Sequence, residues 1–164
     1  MEAQQGTVLL VEDSPDDVAL TLRAFQRAGI HHPVVVMEDG VDALDYLFGE
    51  GRFTGRGPAP QPLVVLLDLN LPRLDGHEVL RRIRQDPRTR LVPVVVLTSS
   101  VQEQDLVRSY DSGANSYVRK PVSFLTFVET ARQLGVYWLQ LNRPPPPQPL
   151  PPGSGQGPGS GGAR

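Results

Sequence analysis

Five side chains spread along the sequence have types that could act together: Glu12 and Asp13, Asp68, Thr98 and Lys120. Three carboxylates gathered in one place repel one another, so a site built from them needs positive charge. Lys120 supplies one unit. It is the only lysine among 16 basic residues, all the others being arginine. A compact ammonium on a flexible stem is not interchangeable with a planar guanidinium. Oxygen-only donors select a hard divalent ion for the rest of the charge, most simply Mg2+, which takes a few carboxylates, a phosphate and waters. Asn70, two residues past Asp68, could offer its backbone carbonyl to that ion. A carboxylate beside such an ion, with an ammonium and a hydroxyl at hand, suits covalent phosphoryl transfer. The carboxylate is the nucleophile, while the ion and Lys120 offset charge on the transferring group. Thr98 could donate a hydrogen bond to a phosphoryl oxygen.

These residues act together only if the fold gathers them. Four apolar runs rich in Val and Leu read as buried strands: Val8 to Val11, Val34 to Met37, Leu63 to Leu67 and Val92 to Leu97; Ser116 to Val118 is a weaker fifth. Helix start signals lie between them. Ser14-Pro15-Asp16-Asp17 offers a cap, a first-turn proline and acids. Asp39 precedes a second helix. Asp75-Gly76-His77-Glu78 matches a capping box, Ser100-Val101-Gln102-Glu103 matches another, and Ser123 can cap a fifth helix. Gly29 and Gly113 suit helix C-termini. This βα alternation, repeated five times, predicts an α/β fold with a doubly wound parallel sheet and helices on both faces. In such folds the active site lies beyond the carboxyl ends of the strands. That rule nominates Glu12, Asp13, Asp39, Asp68, Thr98 and Lys120. His31 and His32 are adjacent, which suits a loop better than a metal pair.

Composition narrows the class. The 164 residues carry a formal charge of −2, which argues against nucleic-acid binding. No cysteine is present, so disulfides and thiolate metal sites are excluded. No signal peptide and no apolar run of about 20 residues is seen, so no membrane association and a cytoplasmic location are expected. Residues 1–142 suffice for one core, whereas 143–164 are almost only Pro, Gly, Ser and Gln and read as a disordered tail.

The pieces Val11-Glu12-Asp13, Leu66-Leu67-Asp68-Leu69-Asn70-Leu71-Pro72, Asp75-Gly76, Leu97-Thr98-Ser99 and Lys120-Pro121 resemble, in order and spacing, the CheY-like response regulator receiver domain. The likeness runs from Thr7 to about Trp138. It implies a flavodoxin-like (βα)5 three-layer sandwich with strand order 2-1-3-4-5. It also implies that Asp68 accepts a phosphoryl group from a sensor histidine kinase, that Asp13 binds Mg2+ directly and Glu12 through water, and that Thr98 and Lys120 hold the phosphoryl oxygens. Tyr117 matches an aromatic that swings inward when Thr98 moves. Ser99 replaces a commoner alanine but is still small.

Two departures resemble a subset of stand-alone receivers that partner phytochrome-type kinases (bacteriophytochromes). One is the long connection from Gly49 to Pro62. The other is a long last helix in which Phe124, Phe127, Val128, Ala131, Leu134, Trp138 and Leu141 recur at three- and four-residue steps. Pro33, Gly40, Ala43, Leu44, Leu47 and Tyr137-Trp138-Leu139 fit the subset too. Tyr137, Trp138 and Leu141 are expected to project beyond the sheet and support a homodimer through that helix. Other expectations stand beside the terminal switch. A phosphorelay intermediate would pass the phosphoryl group to a histidine phosphotransfer protein. A phosphatase with an aspartyl nucleophile is disfavoured, because its second acid would be Asn70. The expected role is not that of an enzyme but of an acceptor that catalyses only its own phosphorylation and slow self-dephosphorylation.

Overall fold

The computed structural model describes residues 6–148. In chain order these form β1 (Val8–Val11), α1 (Pro15–Arg27), β2 (Val34–Met37), α2 (Gly40–Phe48), a 3-10 turn (Gly51–Phe53), β3 (Val64–Leu67), α3 (Gly76–Gln85), β4 (Val94–Thr98), α4 (Glu103–Asp111), β5 (Ser116–Arg119) and α5 (Phe124–Gly135), which continues into a π-helical segment, Val136–Leu141. The five strands are parallel in the order β2-β1-β3-β4-β5. This is the flavodoxin-like arrangement expected.

The three inner strands are buried on both faces, which is why they read as continuous apolar runs. Leu9, Val11, Val65, Leu67 and Val94 pack with Ala43, Leu44 and Leu47 of α2 and Val79, Leu80 and Ile83 of α3. Val8, Leu10, Val64, Leu66 and Val95 face the other way, against Phe25 of α1, Ile30, and Leu134 and Trp138 beyond them. One-residue steps along each strand therefore feed two separate cores.

Most of the cap signals operate as expected. Ser14 Oγ accepts from Asp17 N, Asp39 Oδ1 from Asp42 N and Asp75 Oδ1 from Glu78 N. Gly29 and Gly113 each follow a helix end with positive φ, 73° and 99°. Three expectations need correction. Glu78 does not close its box; its carboxylate accepts from Arg81 and Arg82 instead. Ser100 is not a cap: α4 begins at Glu103 after Gln102, and Ser100 Oγ donates to Asp105 Oδ2 at 2.6 Å. Asp105 in turn pairs with Nε2 of buried His77 at 3.0 Å, so a carboxylate that binds both partners outcompetes the local turn. Ser123 stands at the cap position of α5 without a side-chain bond.

The last helix also departs from expectation. It is not one regular α-helix. At Gly135 a Cβ would lie 2.5 Å from Ile30 Cδ1 and 2.8 Å from Phe25 Cε1, so glycine permits the close approach of α5 to α1. The wider π turn then brings Trp138 onto the core around Val8 and Leu10, edge-on to Tyr137. Trp138 therefore does not project outward; Tyr137 and Leu141 do. The strand expected from Val92 begins at Val94, after Pro93, which has no N–H for the ladder.

The connection after α2 is ordered by its own side chains. Phe53 meets Tyr46 edge to face at 5.5 Å, and the Arg56 guanidinium lies 4.5 Å over Tyr46 and 4.7 Å over Phe53. Of the tail expected over 143–164, residues 143–148 run without regular structure, and Gln61 Nε2 donates to Pro145 O; the remainder lies outside the described residues.

Candidate functional site

Each strand end delivers one part of the site. β1 runs straight into Glu12, whose N–H donates to Met37 O and keeps it in line with the sheet. Its Oε1 accepts from Ser14 N, which aims the carboxyl back over the strand ends. β3 runs into Asp68, fixed by Asp68 N donating to Val11 O. β5 runs into Lys120, whose N–H donates to Thr98 O at 2.7 Å, tying the β4 and β5 ends together.

The side chains meet on Lys120. Its Nζ donates to Glu12 Oε2 at 2.5 Å, to Asp17 Oδ2 at 2.8 Å and to Asp68 Oδ2 at 3.0 Å. Glu12, Asp68 and Lys120 are 3%, 5% and 9% exposed, so these charges interact in a poorly screened environment. Burial pushes the Glu12 carboxyl up to about 7; hydrogen bonding to Lys120 opposes this and the Asp68 charge adds to it. Burial pulls Lys120 down, but Asp17 and Glu12 more than offset it, and the ammonium is held charged well above the usual lysine range.

Glu12, Asp13 and Asp68 can each present an oxygen such that all three lie within 4.8 Å of one another, with Asp13 exposed at the rim. One ammonium against this set leaves a net negative cluster made only of oxygen donors. That fits a hard divalent cation, with Glu12, Asp13 and Asp68 as the residues that would hold it.

Thr98 is fully buried, and its Oγ1 accepts from Ser100 N. Asn70 N donates to Asp68 Oδ1 at 3.3 Å, so the loop after the aspartate folds back over it. Tyr117 has a buried hydroxyl with no partner among the described residues, and burial raises its pKa. Asp39, nominated by the strand-end rule, stays outside the cluster. It caps α2 and receives both arms of Arg73, a non-glycine residue at φ 63°.

Gly76 decides how tightly the site closes. Its N–H donates to Leu69 O, and a Cβ there would lie 2.2 Å from Asp68 O and 2.7 Å from Leu69 Cα. Backbone cannot yield as a side chain does. Gly76→Ala is therefore expected to destabilise the fold by about 1–3 kcal/mol and to weaken divalent-ion binding; urea unfolding and calorimetric titration measure the two effects.

Sequence reasoning missed Asp17 as a member of the cluster, counting it only as a first-turn acid. The available signal was its place: it lies in the first turn of α1, directly after the β1 end where the strand-end rule puts the site.

With this geometry established, comparison with known proteins decides the family. Residues 8–132 match the response regulator receiver domain. The chain belongs to that family. The receiver is 45% identical over 138 residues to a protein of Methanothrix harundinacea described as probable methanogenesis regulatory protein FilR2, covering 84% of this chain and 86% of that one. It is 36% identical over 133 residues to response regulator Rcp1 of Synechocystis, covering 81% and 88%. The Mn2+-bound crystal structure of Rcp1 matches with a TM-score of 0.79 at 35% identity, over 85% of this chain and 99% of that one. The phosphorylated cyanobacterial phytochrome response regulator RcpA matches at 0.80 and 36%, over 86% and 99%. The receiver thus resembles phytochrome response regulators, as its long α2–β3 connection suggested. Among the described residues no helix is long and apolar enough to cross a membrane.

Proposed function

We propose that Asp68 accepts a phosphoryl group from a phosphohistidine on a sensor histidine kinase of the phytochrome type. The observation that carries this reading is the shared anchoring of Glu12 and Asp68 on one buried ammonium, with Asp13 at the rim. An Asp68 oxygen attacks phosphorus, forming an O–P bond. The N–P bond of the donor breaks, and its electron pair stays on the imidazole. A divalent ion, when bound, offsets charge on the transferring group; Mg2+ is the proposed ion, and Asn70 would add its backbone carbonyl. Lys120 holds a phosphoryl oxygen from the β5 side. Thr98 donates its hydroxyl to another, and its movement opens space for Tyr117. The result is a change of protein contacts, not turnover, so the protein acts as a stoichiometric switch in the cytoplasm.

The test is phosphotransfer from a labelled phytochrome-type kinase with Mg2+. Transfer to about one phosphoryl per chain that is abolished by chelation supports the reading; no transfer from any histidine kinase or small acyl phosphate refutes it.

The same reading includes a homodimer through the last helix. Tyr137 and Leu141 are 49% and 68% exposed at its end. Exposed apolar groups clustered at a helix end favour a self-complementary contact. Sedimentation is expected to show a dimer that Leu141→Asp dissociates; a monomer with and without phosphorylation would refute it.

A further inference from the structure

Lysine has three N–H donors, and on Lys120 all three are taken. Two of the acceptors, Glu12 and Asp68, belong to the set that can hold a cation; the third, Asp17, does not. Lys120 is the side chain to which the Asp17 carboxylate bonds among the described residues. The backbone that carries it is anchored. Asp17 N donates to Ser14 Oγ at 3.3 Å, and Thr21 Oγ1 donates to Asp17 O at 2.8 Å, so the first turn of α1 is held at both ends. Asp17 itself is part-exposed, at 28% of its side chain, while its partner is almost wholly buried.

This matters once Asp68 is esterified, so the inference rests on the acceptor reading above. The oxygen of Asp68 that meets Lys120 is then given over to phosphorus or displaced by the phosphoryl oxygens. The ammonium must meet that new anion while Asp17 still holds one of its protons. Asp17 offsets part of the positive charge that would otherwise face the phosphoryl group.

We propose that Asp17 is a positioning residue that competes with the phosphoryl group for Lys120, and so sets how strongly the ammonium stabilises the phosphorylated state. It is not itself a catalytic residue, since it acts through Lys120. A competitor of this kind shortens the hold on phosphate without touching the acceptor, the cation ligands or Thr98.

The experiment is calorimetric binding of beryllium fluoride, an inorganic phosphoryl mimic, to the whole chain at saturating Mg2+. Asp17→Asn keeps the shape and an acceptor oxygen but removes the charge. It is expected to bind the mimic about two- to fivefold more tightly, and Asp17→Glu is expected to return the affinity toward that of the wild type. Asp16→Asn removes the same charge one residue earlier, from an exposed side chain off Lys120, and should leave the affinity unchanged. Unchanged or weaker binding by Asp17→Asn overturns the proposal, as does an equal gain from Asp16→Asn. If Asp17→Asn does not fold, Asp17→Ser carries the same expectation. No binding by the wild type overturns the acceptor reading itself, and the inference falls with it.

Discussion

Asp68→Asn protein, mixed with a phosphorylated kinase and Mg2+, is expected to carry no phosphoryl group under conditions that load the wild type. The carboxamide has the size of the carboxylate but neither its charge nor its nucleophilic oxygen, so both roles proposed for Asp68 are lost together. The fold should survive. The backbone N–H at position 68 still donates to Val11 O, and Lys120 still meets Glu12 and Asp17. Removing one of several crowded negative charges relieves repulsion on Glu12, which offsets the loss of one bond to Lys120. Stability is therefore expected within about 1 kcal/mol of the wild type, in line with the net value of one hydrogen bond. Divalent-ion affinity should fall at least about tenfold, because one of three oxygen donors becomes neutral. Label incorporation, urea unfolding and ion titration on one preparation separate these effects. Label retained by the Asp68→Asn variant would move the acceptor elsewhere.

Lys120→Met should show the opposite pattern: a damaged fold first, and lost chemistry as a consequence. The methionine fills the space but leaves Glu12 and Asp68 buried without a counter-charge. Breaking a buried pair from one side costs about 3–5 kcal/mol, which is a large part of a domain's total stability. The deficit should depend on pH in a defined direction. Glu12 has its folded pKa raised to about 7, against 4.5 for the ordinary group. A raised carboxyl stabilises the fold when protonated, so its contribution is complete below 4.5 and is lost as pH rises through 7. Lys120 is charged in folded and unfolded chains throughout that window and adds no slope. Without the lysine, Glu12 is raised further, so lowering pH from about 8 to about 5.5 should narrow the gap between variant and wild type. Divalent ions should narrow it too, since they supply the missing charge. Urea midpoints at the two pH values, with Mg2+ and with chelator, make the check; a deficit that ignores both would show that the cluster is not electrostatically strained.

Position at a strand end was legible from the residues alone. Buried parallel strands write themselves as continuous Val and Leu runs, and the residue at which such a run turns polar marks the sheet's carboxyl edge. Glu12, Asp68 and Thr98 stand there, and Lys120 follows the end of β5, whose run is mixed. Helix starts were legible where the cap is a local hydrogen bond, as at Ser14, Asp39 and Asp75. They failed at Ser100, where a partner five residues away competes for the hydroxyl.

The sequence by itself determined the order of elements, the family and the placing of Glu12, Asp13, Asp68 and Lys120 at one end of the sheet, because these follow from local periodicity and from residue types that cannot substitute for one another. The tertiary structure decided the rest: Asp17 as a third partner of Lys120, Trp138 turned inward at the π segment, and His77 joined to Asp105 across α3 and α4. Each of these pairs residues far apart in the chain. Such contacts depend on the angles at which helices pack on the sheet, and no short-range pattern encodes those angles.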